Sequence, residues 1–315
     1  MSHEPKGQGE SFARLVQQAR SLRMHHGVLL TGPRGIGKSM AAEYLARALL
    51  CSGDDPMGPC GGCPPCTHFA NHPDLLRVGI PEDKDEIPVD LVRGLRQSLQ
   101  RHSVEGRARV VIVDPADRLN IQGQNALLKT LEEPGRRAFL LLPTRRPEGL
   151  LPTVRSRVSE LRLLPLQDET IQRVLAEDGV ADPADREWAT THAEGCLGWA
   201  RTLLNGELRP LFALVEGFVC DGRGTPVTVA RAALEGVSGR IPTLQRALLV
   251  LCILRTILRK ELLTTLADDS AGPYAAATSV QCTTQIESLF DAESDLSLRI
   301  PPEQVLTHAL ASVVP

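Results

Sequence analysis

Runs of consecutive apolar residues punctuate the first half of the chain, and residues recurring every three or four positions fill the gaps between them. Residues 27–30, ended by Thr31-Gly32-Pro33, residues 109–113 and residues 139–142 are short and continuous, which predicts buried strands. Over 38–50, Met40, Ala41, Tyr44, Leu45, Ala48 and Leu49 return at helical spacing. Residues 89–99 and 123–133 do the same, the second closed by Pro134. Strands alternating with helices predict a largely parallel sheet covered on both faces, an α/β domain. Beyond Pro165 the pattern is helical only, over 169–178, 183–194, 198–204, 243–267, 280–292 and 302–313. The expected organisation is an α/β domain over 1–164, a small helical domain over 165–206 and an all-α domain over 207–315.

Composition narrows the class. A length of 315 residues allows about two domains, and 42% hydrophobic with 23% charged residues excludes a disordered or fibrous chain. A formal net charge of -3 excludes a protein that coats nucleic acid by bulk charge. Aromatic residues, 3% of the chain, are too few for a platform that stacks single-stranded bases. The longest apolar run, 247–254, falls far short of the roughly 20 residues of a membrane helix. The first ten residues lack the apolar stretch of a signal peptide. The expectation is a soluble, cytoplasmic chain.

Gly32-Pro33-Arg34-Gly35-Ile36-Gly37-Lys38-Ser39 matches G-x-x-x-x-G-K-[ST] between a predicted strand and a predicted helix. Backbone amides of such a loop converge on phosphate oxygens at a helix N-terminus. Lys38 is expected to neutralise the β- and γ-phosphates of ATP, or the β-phosphate of ADP, and the Ser39 hydroxyl to ligate Mg²⁺. The strand 109–113 ends in Asp114, placed to hold the same Mg²⁺ through water. ATPases of this layout usually carry a glutamate next, which activates the attacking water. Here the next residue is Pro115. Losing a general base costs about 10² to 10⁴ in rate, so the site is expected to bind ATP and to hydrolyse it poorly. Asp117, three residues beyond Asp114, is a stand-in base only if the loop is rearranged.

Of the eight cysteines, Cys51, Cys60, Cys63 and Cys66 crowd into one Gly- and Pro-rich insertion, 51–66, while the others are scattered singly. This is not the even spread of a disulfide scaffold. Four thiolates with C-x-x-C steps suit tetrahedral Zn²⁺ in a closed, structural site, and metal binding would supply folding energy to a segment with little core. An iron–sulfur cluster is the rival, but the terminal C-P of that pattern is missing. His68 and His72 stand close by in sequence as alternative ligands, but read rather as surface residues or as residues that support the ligands from outside.

Five arginines, Arg145, Arg146, Arg155, Arg157 and Arg162, follow Thr144, opposed only by Glu148 and Glu160. Most read as a solvated basic face. Ser156-Arg157 stands apart, because it closes the α/β domain where neighbouring subunits meet in ring ATPases.

Taken together, these residues resemble the delta-prime subunits of bacterial DNA polymerase III clamp loaders, which are AAA+ proteins. The resemblance rests on residues 26–33, the phosphate loop, the four-cysteine insertion and His72-Pro73-Asp74. It rests further on Asn125-Ala126-Leu127-Leu128-Lys129-Thr130-Leu131-Glu132-Glu133-Pro134 and on Ser156-Arg157. It implies an AAA+ P-loop domain with a zinc-binding insertion, a helical lid and a C-terminal oligomerisation collar. It also implies that Arg157 is an arginine finger reaching a neighbour's ATP site, and that Thr144 is a polar sensor of the γ-phosphate. Motor subunits of the family carry an acid where Pro115 stands and an arginine where Gly198 falls, and both are missing here. The implied role is a stator in a hetero-oligomeric ring with gamma/tau-type motor subunits and a delta subunit, which opens the sliding clamp and places it on primed DNA. The apolar face of 243–267 (Leu244, Leu248, Leu251, Leu258, Leu262) suits a collar and suits an ordinary core helix equally well. Two alternatives stay open: a motor-type clamp-loader ATPase using Asp117 as base, and a zinc-containing protein that binds DNA by itself. A small-molecule kinase has no place for the run 125–134.

Overall fold

A computed structural model describes residues 4–81, 84, 86–100, 103–105, 107–204, 206, 208–235, 243–267, 272–297 and 300–313. Residue 207, at the boundary expected from the sequence, lies outside them. The chain divides into two compact units, Met1–Ala200 and Arg201–Pro315.

The first unit runs α1 (Gly9–Arg20), β1 (Gly27–Thr31), α2 (Lys38–Leu50), α3 (Pro64–Thr67), β2 (Leu75–Val78), α4 (Val89–Gln100), β3 (Arg109–Val113), α5 (Ile121–Glu132), β4 (Ala138–Pro143), α6 (Pro152–Arg155) and β5 (Ser159–Arg162). Two helices follow, α7 (Asp168–Glu177) and α8 (Pro183–Ala193), and a third, α9 (Leu197–Leu203), begins in the first unit and runs past its end at Ala200. The five strands form one parallel sheet in the order β2-β3-β4-β1-β5. Every residue of β1, β3 and β4 is buried, the mark of inner strands with both faces covered. These are the three strands that the apolar runs predict.

The edge strands are different. Arg77 is exposed in β2, and in β5 only Leu161 is even half-buried. Neither carries a run of apolar residues, so neither is visible as a strand in the sequence. Register places Leu29 of β1 between Leu142 of β4 and Glu160 of β5. On one face Leu29, Val111 and Leu140 pack with Val92, Leu95, Leu127 and Leu131 of α4 and α5. Each such side chain contributes about 1.5–3 kcal/mol when taken out of water. Asn120 caps α5 by accepting from the Gly123 amide at 2.8 Å, and Pro134 prevents its extension.

The second unit holds α10 (Leu208–Asp221), α11 (Pro226–Glu235), α12 (Thr243–Ala267), α13 (Gly272–Ser297) and α14 (Pro302–Val313), with no strand among the described residues. The middle of α12 is buried on most sides, at Ala247, Leu249, Val250, Leu251, Ile253, Leu254, Ile257 and Leu258. This stretch is core of its own unit, and the exposed leucines Leu244, Leu263 and Leu266 lie toward its ends. Arg246, buried, donates to the Ala233 carbonyl at 2.9 Å and closes the end of α11. Among the described residues no helix is long and apolar enough to cross a membrane.

Candidate functional site

Sheet order brings the phosphate-loop residues together. β3, β4 and β1 are adjacent and parallel, so the residues that follow them, Asp114, Thr144 and the loop 32–39, emerge at the same end of the sheet. The Thr144 amide donates to the Leu30 carbonyl and the Asp114 amide to the Val78 carbonyl, both at 2.9 Å. Each thus stays in register one step past its strand. Gly32, Gly35 and Gly37 have φ of 143°, 79° and 102°, a region that glycine occupies without strain. Ile36 is buried, Arg34 is half-buried, and Pro33 and Ser39 are exposed.

Lys38 is buried, and its Nζ donates to the carbonyls of Gly32 and Pro33, each at 2.8 Å. Burial, and then the Arg145 cation, lower its pKa to about 8, against the opposing pull of Asp114. Burial raises the Asp114 carboxyl above its ordinary value, although a hydrogen bond from Ser39 and the Lys38 charge act the other way. Thr144 is fully buried, and its Oγ1 donates to Asp117 Oδ1 at 2.8 Å. The Arg145 amide donates to the same oxygen at 3.1 Å. Asp117 therefore serves as the acceptor that orients Thr144, a role not evident in the sequence.

The start of α9 lies against the loop. The Gly198 amide donates to the Gly35 carbonyl at 2.8 Å. A Cβ on Gly198 would stand 2.8 Å from that oxygen, and a Cβ on Gly35 would stand 2.7 Å from the Trp199 amide nitrogen. Only glycine at both positions allows so close a backbone approach.

The cysteine insertion lies between α2 and β2, with α3 inside it. The Sγ atoms of Cys51, Cys60, Cys63 and Cys66 all lie within 4.8 Å of one another, and no disulfide joins them. Those of Cys51 and Cys63 are 3.7 Å apart. A tetrahedral ion with bonds of about 2.3 Å to sulfur needs edges of about 3.8 Å, so the four thiols fit such an ion. Two amides point at the sulfurs, Cys60 N to Cys51 Sγ at 3.3 Å and Cys63 N to Cys60 Sγ at 3.4 Å. Burial works to raise Cys63, but hydrogen bonds from Ser52 and the Cys66 amide outweigh it and bring the thiol down to about 5. Burial pushes Cys66 up.

Arg157 follows α6, outside the loop cluster. Its Nη2 lies 2.9 Å from Glu132 Oε1 at the end of α5, with both side chains partly exposed, and its Nη1 donates to the Thr153 carbonyl at 3.0 Å. The segment that carries it is held by Gln124, which the sequence does not single out. Buried Gln124 donates to the carbonyls of Leu119 and Gly149 at 3.0 and 3.1 Å and accepts from the Leu151 amide at 2.7 Å. A glutamine at the start of a helix gives no hint in sequence that all its hydrogen-bonding groups are used inside the protein.

With this geometry in view, known proteins can be compared. The chain is 36% identical over 214 residues to DNA polymerase III subunit delta′ of Pseudomonas aeruginosa, covering 67% of this chain and 57% of that protein. It is 38% identical over 148 residues to the Escherichia coli subunit delta′, covering 46% of this chain and 44% of that one. It is also 37% identical over 182 residues to subunit gamma/tau of Mycobacterium tuberculosis, covering 56% of this chain and 32% of that protein. The matches thus span from a third to somewhat over half of these relatives' lengths. Among solved structures, a gamma-subunit-related protein of DNA polymerase III from Thermotoga maritima superposes with a TM-score of 0.50 at 20% identity, over 94% of this chain and 97% of that one, a likeness of fold. A family model described as DNA polymerase III, delta subunit, matches residues 7–167, just over half of the chain. Because that match takes in the phosphate loop, the cysteine insertion and Arg157 together, the chain belongs to the DNA polymerase III delta-subunit family.

Proposed function

We propose that the chain acts as a delta-prime-type stator of a cytoplasmic clamp-loading ATPase. In this role it presents Arg157 to the ATP site of a gamma/tau-type neighbour in a hetero-oligomeric ring with a delta subunit. The ring loads a sliding clamp onto primed DNA. The observation that carries the reading is an asymmetry. Arg157 is partly exposed and held only by surface contacts, whereas the chain's own site has Pro115 after Asp114 and the Gly198 backbone against its loop. Separating an exposed pair such as Arg157 and Glu132 costs at most about 1 kcal/mol, so the guanidinium is available to a partner.

The loop 32–39 retains the means to bind a nucleotide: glycine-rich backbone, Lys38, Ser39, Asp114 and Thr144. Mg²⁺ bound with ATP or ADP would screen phosphate charge there, held by Ser39 and, through water, by Asp114. Lys38 would leave the carbonyls of Gly32 and Pro33 for phosphate oxygens, and Thr144, oriented by Asp117, would face the terminal phosphate. With its carboxylate engaged by Thr144, Asp117 is a poor stand-in base, which counts against a motor-type ATPase. Cys51, Cys60, Cys63 and Cys66 would hold Zn²⁺, whose contribution is folding energy for the insertion. We keep the division into a P-loop domain (1–164), a lid (165–206) and a collar (207–315) as part of this proposal.

The test is the DNA- and clamp-stimulated ATPase rate of the reconstituted loader carrying Arg157→Ala. An arginine finger is worth about 10³ to 10⁵ in rate, shared among the sites of a ring. A fall of at least about tenfold with assembly intact is expected. An unchanged rate would remove the finger role.

A further inference from the structure

Two guanidinium groups lie at the base of the cysteine insertion without a carboxylate. Arg20, the last residue of α1, is 9% exposed. It donates to the carbonyl of Ala48 at 3.2 Å, of Cys51 at 2.6 Å, of Asp55 at 2.7 Å, and also to that of Gly53. Arg107 donates to the Leu49 carbonyl at 2.9 Å and to the Arg20 carbonyl at 2.6 Å. Among the described residues neither forms an ion pair with an acidic group. Buried charges are normally paired, and an uncompensated one is strongly destabilising. The insertion is in direct contact with this pair, since Arg20 bonds the carbonyl of Cys51, one of the four thiol residues. A divalent cation on four thiolates keeps two negative charges, and the two guanidiniums supply two positive ones.

We propose that Arg20 and Arg107 are the charge partners of the metal-loaded thiolate cluster, so that metal occupancy and the docking of α1 on the α/β core form one linked equilibrium. The linkage has a physical path. α1 packs along α2 through Phe12 and Tyr44, whose ring centroids are 6.1 Å apart. Arg20 then spans from the end of α1 to both sides of Cys51. Loss of the ion changes the charge of the cluster beside two cations, Arg20 buried and Arg107 half-buried, and α1 is the element that can carry Arg20 to solvent. By reciprocity, the factor by which metal favours docked α1 is the factor by which docked α1 favours metal. Capping of the α2 C-terminus alone would make Arg20 equally valuable with and without metal, and this difference separates the two roles.

The inference rests on the metal reading above. The experiment measures Zn²⁺ affinity of the full chain by chelator competition, with Co²⁺ absorption as a check on tetrahedral thiolate geometry, for wild type, Arg20→Met, Arg20→Lys and Arg107→Gln. Outer-shell partners are commonly worth about 10–100-fold in metal affinity. A loss of that size is expected in Arg20→Met and Arg107→Gln with the Co²⁺ spectrum unchanged, and recovery of most of it in Arg20→Lys. Hydrogen exchange over residues 9–20 should rise when wild type is stripped of metal. Equal affinity in wild type and Arg107→Gln, the variant least disturbing to the fold, overturns the charge-partner role and leaves the metal site standing. A wild type that binds neither ion removes both.

Discussion

Lys38 shows how burial prepares a single residue for its ligand. Withdrawn from water and next to Arg145, its ammonium is charged at neutral pH only up to a pKa of about 8. The sign for stability follows: the buried charge weakens the fold below that pH, and the penalty disappears as the pH rises through it toward the ordinary lysine value. For binding the sign is reversed. Phosphate oxygens favour the charged form, so above pH 8 binding must take up a proton, and affinity should fall about tenfold per pH unit until the bound lysine itself titrates. Calorimetric titration of ADP from pH 7 to 9.5, in buffers of different ionisation heat, tests this through both affinity and proton uptake. A flat profile would mean that Lys38 stays on the carbonyls of Gly32 and Pro33 and takes no part in binding. The lysine's identity and partner loop are legible in the sequence. Its parking place on those carbonyls is not, because it depends on how the loop folds back.

At the scale of elements, what could be read depended on burial on both faces. The inner strands β1, β3 and β4 appear as apolar runs because both sides of each are covered. The edge strands β2 and β5 share their backbone pairing with these, yet Arg77, Glu160 and Arg162 face outward and erase the pattern. α1 escaped for a related reason: Phe12, Val16 and Ala19 make a narrow apolar stripe in a polar context, and the fourth buried residue is Arg20. Among the helices of the second unit, α12 and α14 match their expected spans, whereas α10 and α11 lie outside every span that the periodicity predicts. His72-Pro73-Asp74 was noticed only as part of a resemblance, and its physical role joins elements. Asp74, fully buried, accepts from the amides of Val104 and Glu105 and from Ser103, and lies 3.3 Å from Arg109 Nε at the start of β3. Burial alone would raise its pKa, but these hydrogen bonds and Arg109 outweigh it and hold the carboxyl below the usual range. Its stabilisation is therefore present at neutral pH and lost as the pH falls below about 4 through the lowered value. Asp74→Ala strands Arg109 and should cost about 3–5 kcal/mol in urea unfolding. A cost under about 1 kcal/mol would mean that water replaces the carboxylate.

For the whole molecule, the proposed stator role turns on how far its own phosphate-loop site lies from activity. Where the family resemblance implies an acid and an arginine, the chain has Pro115 and Gly198, which in sequence look like two independent losses. The geometry links the second to α9. With Gly198 N bonded to Gly35 O, a side chain at 198 has no room, since its Cβ would fall 2.8 Å from that oxygen. An arginine there requires α9 to lift away from the phosphate loop, so restoring the base alone leaves the site without a cation from α9. Pro115→Glu should therefore raise ATP turnover by the isolated chain less than about tenfold, below the 10² to 10⁴ that a general base supplies in a complete site. In the reconstituted loader the proposed stator role predicts that the same variant leaves the stimulated rate unchanged, with turnover at a neighbour completed by Arg157. Steady-state hydrolysis by chain and assembly measures both. A hundredfold gain in the isolated chain would mean that a missing base was its only defect, and the chain would then be better described as a motor silenced at one residue than as a stator.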